Sequence, residues 1–170
     1  MKYLLDTNVC VDYLNGRYPR VTRQIQESSP NDLCVSSVAV AELRYGAEKS
    51  VQRQRNHERL DVFLAEIRCV DFDTDAASVY GRIRSALERR GSIIGPYDLQ
   101  IAAHALSLGL VLALVSDNVR EFRRVRGLKV ANWRRAGDER DERRPLKYSD
   151  PGAGSSGEPR ARQRYIRCSS

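Results

Sequence analysis

Val111-Leu112-Ala113-Leu114-Val115 is apolar at every position. A strand with one wet face alternates apolar and polar residues, so a run without alternation is covered on both faces. Such strands belong to parallel sheets with helices packed above and below. This run therefore predicts an α/β fold. Ser116-Asp117-Asn118 follows, the kind of residues that end a strand and cap a helix, here a short one from Val119 to Val125. Leu128-Lys129-Val130 reads as a last short strand, closed by Trp133.

Immediately upstream lies Ile93-Ile94-Gly95-Pro96-Tyr97-Asp98-Leu99-Gln100-Ile101-Ala102-Ala103-His104-Ala105, a tight loop feeding a mostly apolar helix that stops at Gly109. Pro96 suits the first helical position. Asp98 falls in the first turn and shares a face with Ile101 and Ala102. A carboxylate on an inward face is costly unless something positive meets it. Taken alone, an Asp there is also a good partner for the helix dipole and needs no ligand.

The same alternation runs back to the N-terminus. Lys2-Tyr3-Leu4-Leu5-Asp6 reads as a buried strand ending in an acid, with Thr7 or Asn8 capping a helix through Leu14. A second helix is expected from Pro19 to Ser28. Leu33-Cys34-Val35-Ser36 is the next strand, and Ser36 or Ser37 caps a helix from Val38 to Ala47. Residues 53–67 carry Leu60, Phe63, Leu64 and Ile67 at helical spacing. Cys69-Val70-Asp71-Phe72 is a third strand, and Asp73 or Thr74 opens a long helix to about Arg90. The order predicts a mainly parallel sheet with helices on both sides.

With 170 residues the chain is expected to form one domain, residues 1–134, and a tail, residues 135–170. From Ala136 onward the sequence is rich in Gly, Ser, Pro, Arg and acids. It holds too few apolar residues to offset ordering entropy, so it reads as a disordered tail. The net charge of +7 divides as +3 over residues 1–133 (19 basic, 16 acidic) and +4 over 134–170 (10 basic, 6 acidic). A mildly basic body permits a nucleic-acid partner. No apolar run approaches a bilayer span, and Asp6 interrupts the first apolar stretch, so neither a membrane segment nor a signal peptide is expected. The expected location is the cytosol. Cys10, Cys34, Cys69 and Cys168 lack zinc spacing and read as reduced thiols.

In open parallel sheets, ligands collect beyond the carboxyl ends of the strands. Asp6 ends the first strand, Glu42 lies two turns into the helix after the second, Asp98 opens the helix before the apolar strand, and Asp117 and Asn118 end that strand. All fall on one rim. Val38, Ala39, Tyr45 and Gly46 flank Glu42 at helical spacing, which predicts an inward face there. Each acid has a simpler reading as a cap, but four on one rim favour a shared cation. Oxygen-only ligands suit Mg²⁺, with Mn²⁺ as the alternative. A carboxylate-held Mg²⁺ performs phosphoryl chemistry. His104 reads as a helix-surface or core contact rather than a ligand.

Other chemistries fit less well. There is no GxxxxGK[ST], GxGxxG or GxSxG loop. A haloacid-dehalogenase-type phosphatase would carry a second Asp where Asn8 stands. A receiver domain would want its phosphate-accepting Asp at the end of a middle strand and a Lys after a late strand, and neither is read here.

The ordered set Leu5-Asp6-Thr7-Asn8, Ser36-Ser37-Val38, Ala41-Glu42-Leu43-Arg44-Tyr45-Gly46-Ala47-Glu48-Lys49-Ser50, Ile94 to Ala105, Val115-Ser116-Asp117-Asn118, Arg120 to Val125, Gly127-Leu128 and Asn132-Trp133 resembles the PIN-domain ribonucleases, most of all the toxins of bacterial toxin–antitoxin pairs. The resemblance spans residues 1 to about 134. It implies a three-layer PIN-like fold and an endoribonuclease dependent on Mg²⁺ or Mn²⁺, with structured RNA, often tRNA, as substrate. It also implies a homodimer and a cognate antitoxin. Asp6, Glu42 and Asp98 match the family's acidic triad and metal ligands, and Asn118 matches its fourth catalytic position, with Asp117 beside it. Ser116 stands where the family usually has Thr, and the stretch after Trp133 lies outside the pattern. The alternative is a PIN-like module that binds RNA, or antitoxin and operator, without cutting.

Overall fold

The computed structural model of the protein describes residues 1–109 and 113–135. The tail expected from residue 136 onward, Cys168, and the first two residues of the apolar run 111–115 lie outside the described residues. Five strands, β1 (Tyr3–Leu5), β2 (Leu33–Ser36), β3 (Arg68–Val70), β4 (Ala113–Val115) and β5 (Val130–Ala131), form one sheet in the order β3-β2-β1-β4-β5. Every pairing is parallel, as the unbroken apolar run required. The helices are α1 (Thr7–Leu14), α2 (Pro19–Glu27), α3 (Ser37–Glu48), α4 (Arg53–Glu66), α5 (Thr74–Arg89), α6 (Pro96–Ser107) and α7 (Val119–Phe122).

The pleat divides the core in two. Leu5, Leu33, Val35 and Val115 point to one side and pack with residues of α1, α2 and α4, joined by Leu43 and Trp133. Their neighbours Leu4, Cys34 and Leu114 point to the other side, against α5, α6 and Phe122 of α7. Alternate residues of one strand thus serve opposite layers, the reason these strands need no polar position. Cys10 and Cys34 are buried free thiols. No helix among the described residues is long and apolar enough to cross a membrane.

The topology places the site. The chain steps outward from β1 to β2 to β3, then crosses back to lay β4 on the other side of β1. The switch point is the crevice between the carboxyl ends of β1 and β4, where an open parallel sheet leaves space for a ligand. Asp6 follows β1 there, and Ser116 follows β4.

One cap and three boundaries differ from expectation for clear local reasons, and other ends shift by a single residue. Asp6, rather than Thr7 or Asn8, caps α1, accepting from the Thr7 amide, which is the simpler reading of that acid. β3 begins at Arg68 because Ser36 pairs with Val70, leaving Asp71 and Phe72 beyond the ladder. β5 is Val130–Ala131, later than Leu128-Lys129-Val130, because Leu114 and Val115 pair with Val130 and Ala131. α7 stops at Phe122 rather than Val125, since the chain must turn through Gly127 (φ 84°), a backbone state that only glycine adopts cheaply, to enter β5.

Candidate active site

Asp6 is 2 % exposed, and each of its carboxylate oxygens is engaged. The Thr7 amide donates to Oδ1 at 2.8 Å, and the Ser116 hydroxyl donates to Oδ2 at 2.7 Å. The Ser116 oxygen in turn accepts from the Asn118 amide at 3.0 Å. Capping and site building are therefore one act: a single carboxylate starts α1 and ties β1 to the loop after β4. Burial nevertheless lifts the Asp6 pKa to about 6, against the lowering effect of the Ser116 bond, with the charges of Asp98 and Asp117 adding to the rise. No lysine or arginine offsets that charge directly.

Asp98 sits in the first turn of α6, with Ile101 and Ala102 buried on its face as the spacing predicted. Asn118 Nδ2 donates to Asp98 Oδ2 at 2.9 Å. Burial raises the Asp98 pKa; the Asn118 bond opposes this, and Glu42, Glu121 and Asp117 push it further up. Glu42 on α3 accepts from the Thr7 hydroxyl at 2.6 Å. Thus Asp6, Glu42, Asp98 and Asn118 lie on one rim, joined through Thr7 and Ser116, and the charges of the three acids are felt across it.

One part of the sequence reading is corrected. The face of α3 that packs inward carries Ala39, Leu43 and Ala47, while Tyr45 and Gly46 are exposed. Glu42 is half-buried beside that face and is held by Thr7, not by a tight packing contact at Gly46. The small residues near Glu42 gave a misleading inward signal, since Ala and Gly are tolerated on either face of a helix. His104 is resolved as a core residue: it is buried, its Nδ1 lies 2.8 Å from Ser36 Oγ, and burial lowers its pKa.

The sequence also gave no sign of Arg134. Its Nε donates to Asp12 Oδ2 at 2.5 Å, its Nη1 meets Asp117 Oδ2, and its guanidinium lies 4.6 Å over the Tyr18 ring. Asp12 is 1 % exposed on α1, so this arginine joins α1, α2 and the loop after β4 from the end of the domain. Asp117 is thereby drawn toward Arg134, and Asn118 is the residue turned onto Asp98. The second Asp117 oxygen, Oδ1, is buried without a hydrogen-bond partner.

The donor set fits a hard cation. It is all oxygen, it includes a buried carboxylate without compensating charge, and an orphaned carboxylate oxygen lies beside it. Among the described residues no three acidic, imidazole or thiol side chains already surround one point. Each acid is instead parked on a neutral donor: Asp6 on Ser116, Glu42 on Thr7, Asp98 on Asn118. The rim is open. A cavity of about 200 Å³ lies to one side between α1, α3 and α4, and Glu42 is the only acid of the three on its wall.

Ser116→Ala tests the parking directly. It removes a hydrogen bond to a buried charge, worth about 1.5–3 kcal/mol. The variant's metal-free melting temperature is expected to fall at pH 8 and to fall less at pH 4, where Asp6 is protonated.

Residues 3–128 match the PIN domain family. The chain is 40% identical over 133 residues to a tRNA(fMet)-specific endonuclease VapC from Salmonella typhimurium, covering 78% of this chain and 98% of that one. It is 41% identical over 133 residues, with the same coverage, to a ribonuclease VapC2 from Haemophilus influenzae. Among solved structures, a DNA-bound VapBC complex from Salmonella typhimurium superposes with a TM-score of 0.74 at 38% identity, covering 78% of this chain and 98% of that chain.

Proposed function

The chain belongs to the PIN domain family, and from that premise we propose that it is a metal-dependent endoribonuclease, the toxin of a toxin–antitoxin pair, that hydrolyses RNA phosphodiester bonds. The observation that carries this reading is the rim itself: Asp6 at the end of β1, Glu42 on α3 and Asp98 at the start of α6 are linked through Thr7, Ser116 and Asn118, and the buried member carries no counter-charge. Relatives named as a tRNA(fMet)-specific endonuclease and a ribonuclease support RNA, with tRNA as the first substrate to test. The VapBC complex supports an antitoxin partner. Pairing of two copies into a homodimer belongs to the same proposal.

Asp6, Glu42 and Asp98 would hold the ion, Mg²⁺ or Mn²⁺. When bound, such an ion activates water and offsets charge on the scissile phosphate. The protein's own groups do the positioning. Ser116 and the Thr7 amide fix Asp6, the Thr7 hydroxyl fixes Glu42, and the Asn118 amide group fixes Asp98. Water's oxygen attacks phosphorus, one P–O ester bond breaks, and the RNA ends as a phosphate monoester and a free hydroxyl.

The test is cleavage of a tRNA transcript by the full chain. EDTA is expected to abolish it, and added Mg²⁺ or Mn²⁺ to restore it. Asp98→Asn is expected to lower the rate more than about 100-fold, the upper end for losing even an outer-shell partner of a metal. Tight RNA binding in EDTA with no product under either metal would instead favour a binding module without hydrolysis.

A further inference from the structure

One side of the rim carries a surface that the proposed chemistry does not use. α7 and the turn after it read Val119-Arg120-Glu121-Phe122-Arg123-Arg124-Val125-Arg126. Arg120, Arg123 and Arg126 are exposed, and among the described residues none of their three side chains has a hydrogen bond or ion pair. Among the described residues some arginines elsewhere are committed, as Arg44 to Asp61 and Arg84 to Glu88, and others such as Arg23 and Arg82 are not; what sets these three apart is that they cluster next to the residue that holds Asp98. Three uncommitted guanidinium groups within seven residues leave a concentrated positive charge beside the acidic rim.

This surface is cross-linked by hydrogen bonds and continuous with Asp98. Arg124 Nη1 donates to the Ile93 carbonyl at 2.9 Å, and Arg124 Nη2 lies 3.1 Å from Glu121. Arg90 Nη2 donates to the Arg124 carbonyl at 3.2 Å. The end of α5, the loop before α6 and α7 are thereby stitched together. Asn118, the cap of α7, bonds Asp98 itself. On the loop side stand two of the few large apolar side chains left exposed, Ile93 at 58% and Tyr97 at 56%. Tyr97 is the residue next to Asp98.

We propose that this lip is the path of the RNA strand on the Asp98 side of the rim, with Tyr97 stacking the base beside the scissile phosphate and Arg120, Arg123 and Arg126 holding the flanking phosphates. The inference rests on the ribonuclease reading and deepens it, because it names where the strand lies and what it must present. A base paired within a helix shows no free face to a tyrosine, so the nucleotide at Tyr97 is unpaired. Stacking on an aromatic ring accepts any base, and arginines on phosphates carry no sequence information. The lip therefore sets strand geometry, and sequence preference must arise elsewhere on the protein.

The experiment measures binding separately from cleavage. A fluorescein-labelled, unstructured 12-nucleotide RNA is titrated with the full chain in EDTA over a range of salt. Tyr97→Ala is expected to weaken binding about 5- to 150-fold, the range for one lost stacked base, and Tyr97→Phe to keep wild-type affinity. Replacing Arg120, Arg123 and Arg126 together by Ala is expected to lower the slope of log affinity against log salt by about 2, at about 0.7 per phosphate of single-stranded RNA. In cleavage with metal present, Tyr97→Ala is expected to raise KM more than it lowers kcat. Wild-type affinity in Tyr97→Ala, an unchanged salt slope in the triple variant, or no measurable binding by the wild type at low salt would each overturn the proposal. Failure of the ribonuclease reading would show up differently, as no product from the wild type under either metal, and would leave these binding comparisons intact.

Discussion

Asp6→Asn is expected to cleave no RNA and, in EDTA at pH 8, to melt higher than the wild type. The two results come from one cause. Burial lifts the Asp6 carboxyl to about 6 in the folded protein, while an Asp in the unfolded chain titrates near 3.9. Between those values the folded state holds the proton that the unfolded state has released. Stability is therefore full below about pH 4 and declines as pH rises through about 6. Two pKa units correspond to about 3 kcal/mol of penalty at pH 8. Asn carries no charge to bury. Its Oδ1 keeps the Thr7 amide, and its Nδ2 faces the Ser116 oxygen across the same short gap. For a domain of this size about 3 kcal/mol is roughly a 6–12 °C gain in melting temperature. The gain is expected to vanish at pH 4. Added Mn²⁺ is expected to stabilise the wild type and not the variant. A variant that melts lower than the wild type at pH 8 would mean that Asp6 already has its counter-charge, and the case for a cation between these acids would fail with it.

The fold and the site were legible to different depths, for physical reasons. Parallel pairing followed from one apolar run, because a strand covered on both faces has no other home. The rim followed from strand ends, because the pleat and the switch point carry the residues after β1 and β4 to the same crevice. The neutral partners were not legible. Thr7 on Glu42 and Ser116 on Asp6 are contacts between residues 35 and 110 positions apart, and a hydroxyl in a sequence names no partner. The shifted β5 has a similar cause: Leu128-Lys129-Val130 has the right composition, but register is set by the neighbouring strand and by the turn at Gly127. The inward reading of α3 near Glu42 failed because small residues say little about which face is buried. Asp12, which drew no reading of its own, was the largest omission, since a buried acid demands a partner and its partner lies 122 positions away.

That partner defines the second large effect. Arg134→Ala is expected to destabilise the protein by about 3–5 kcal/mol, the usual range for leaving one member of a buried ion pair alone. The loss would come from Asp12, which is 1 % exposed and cannot regain water where it sits. It would also free Asp117, whose Oδ1 already lacks a partner, and so loosen the loop that presents Ser116 to Asp6 and Asn118 to Asp98. Urea denaturation of single and double variants separates these contributions. If the penalty is the stranded charge, Asp12→Leu in the Arg134→Met background is expected to recover most of the stability, because an apolar pair of similar volume replaces a buried ion pair at little or no net loss. The same double variant is expected to remain poor at cleavage, since Asp117 is still released. Stability that recovers without activity would place Arg134 in the support of the site as well as of the fold. Joint recovery of both would confine its role to folding.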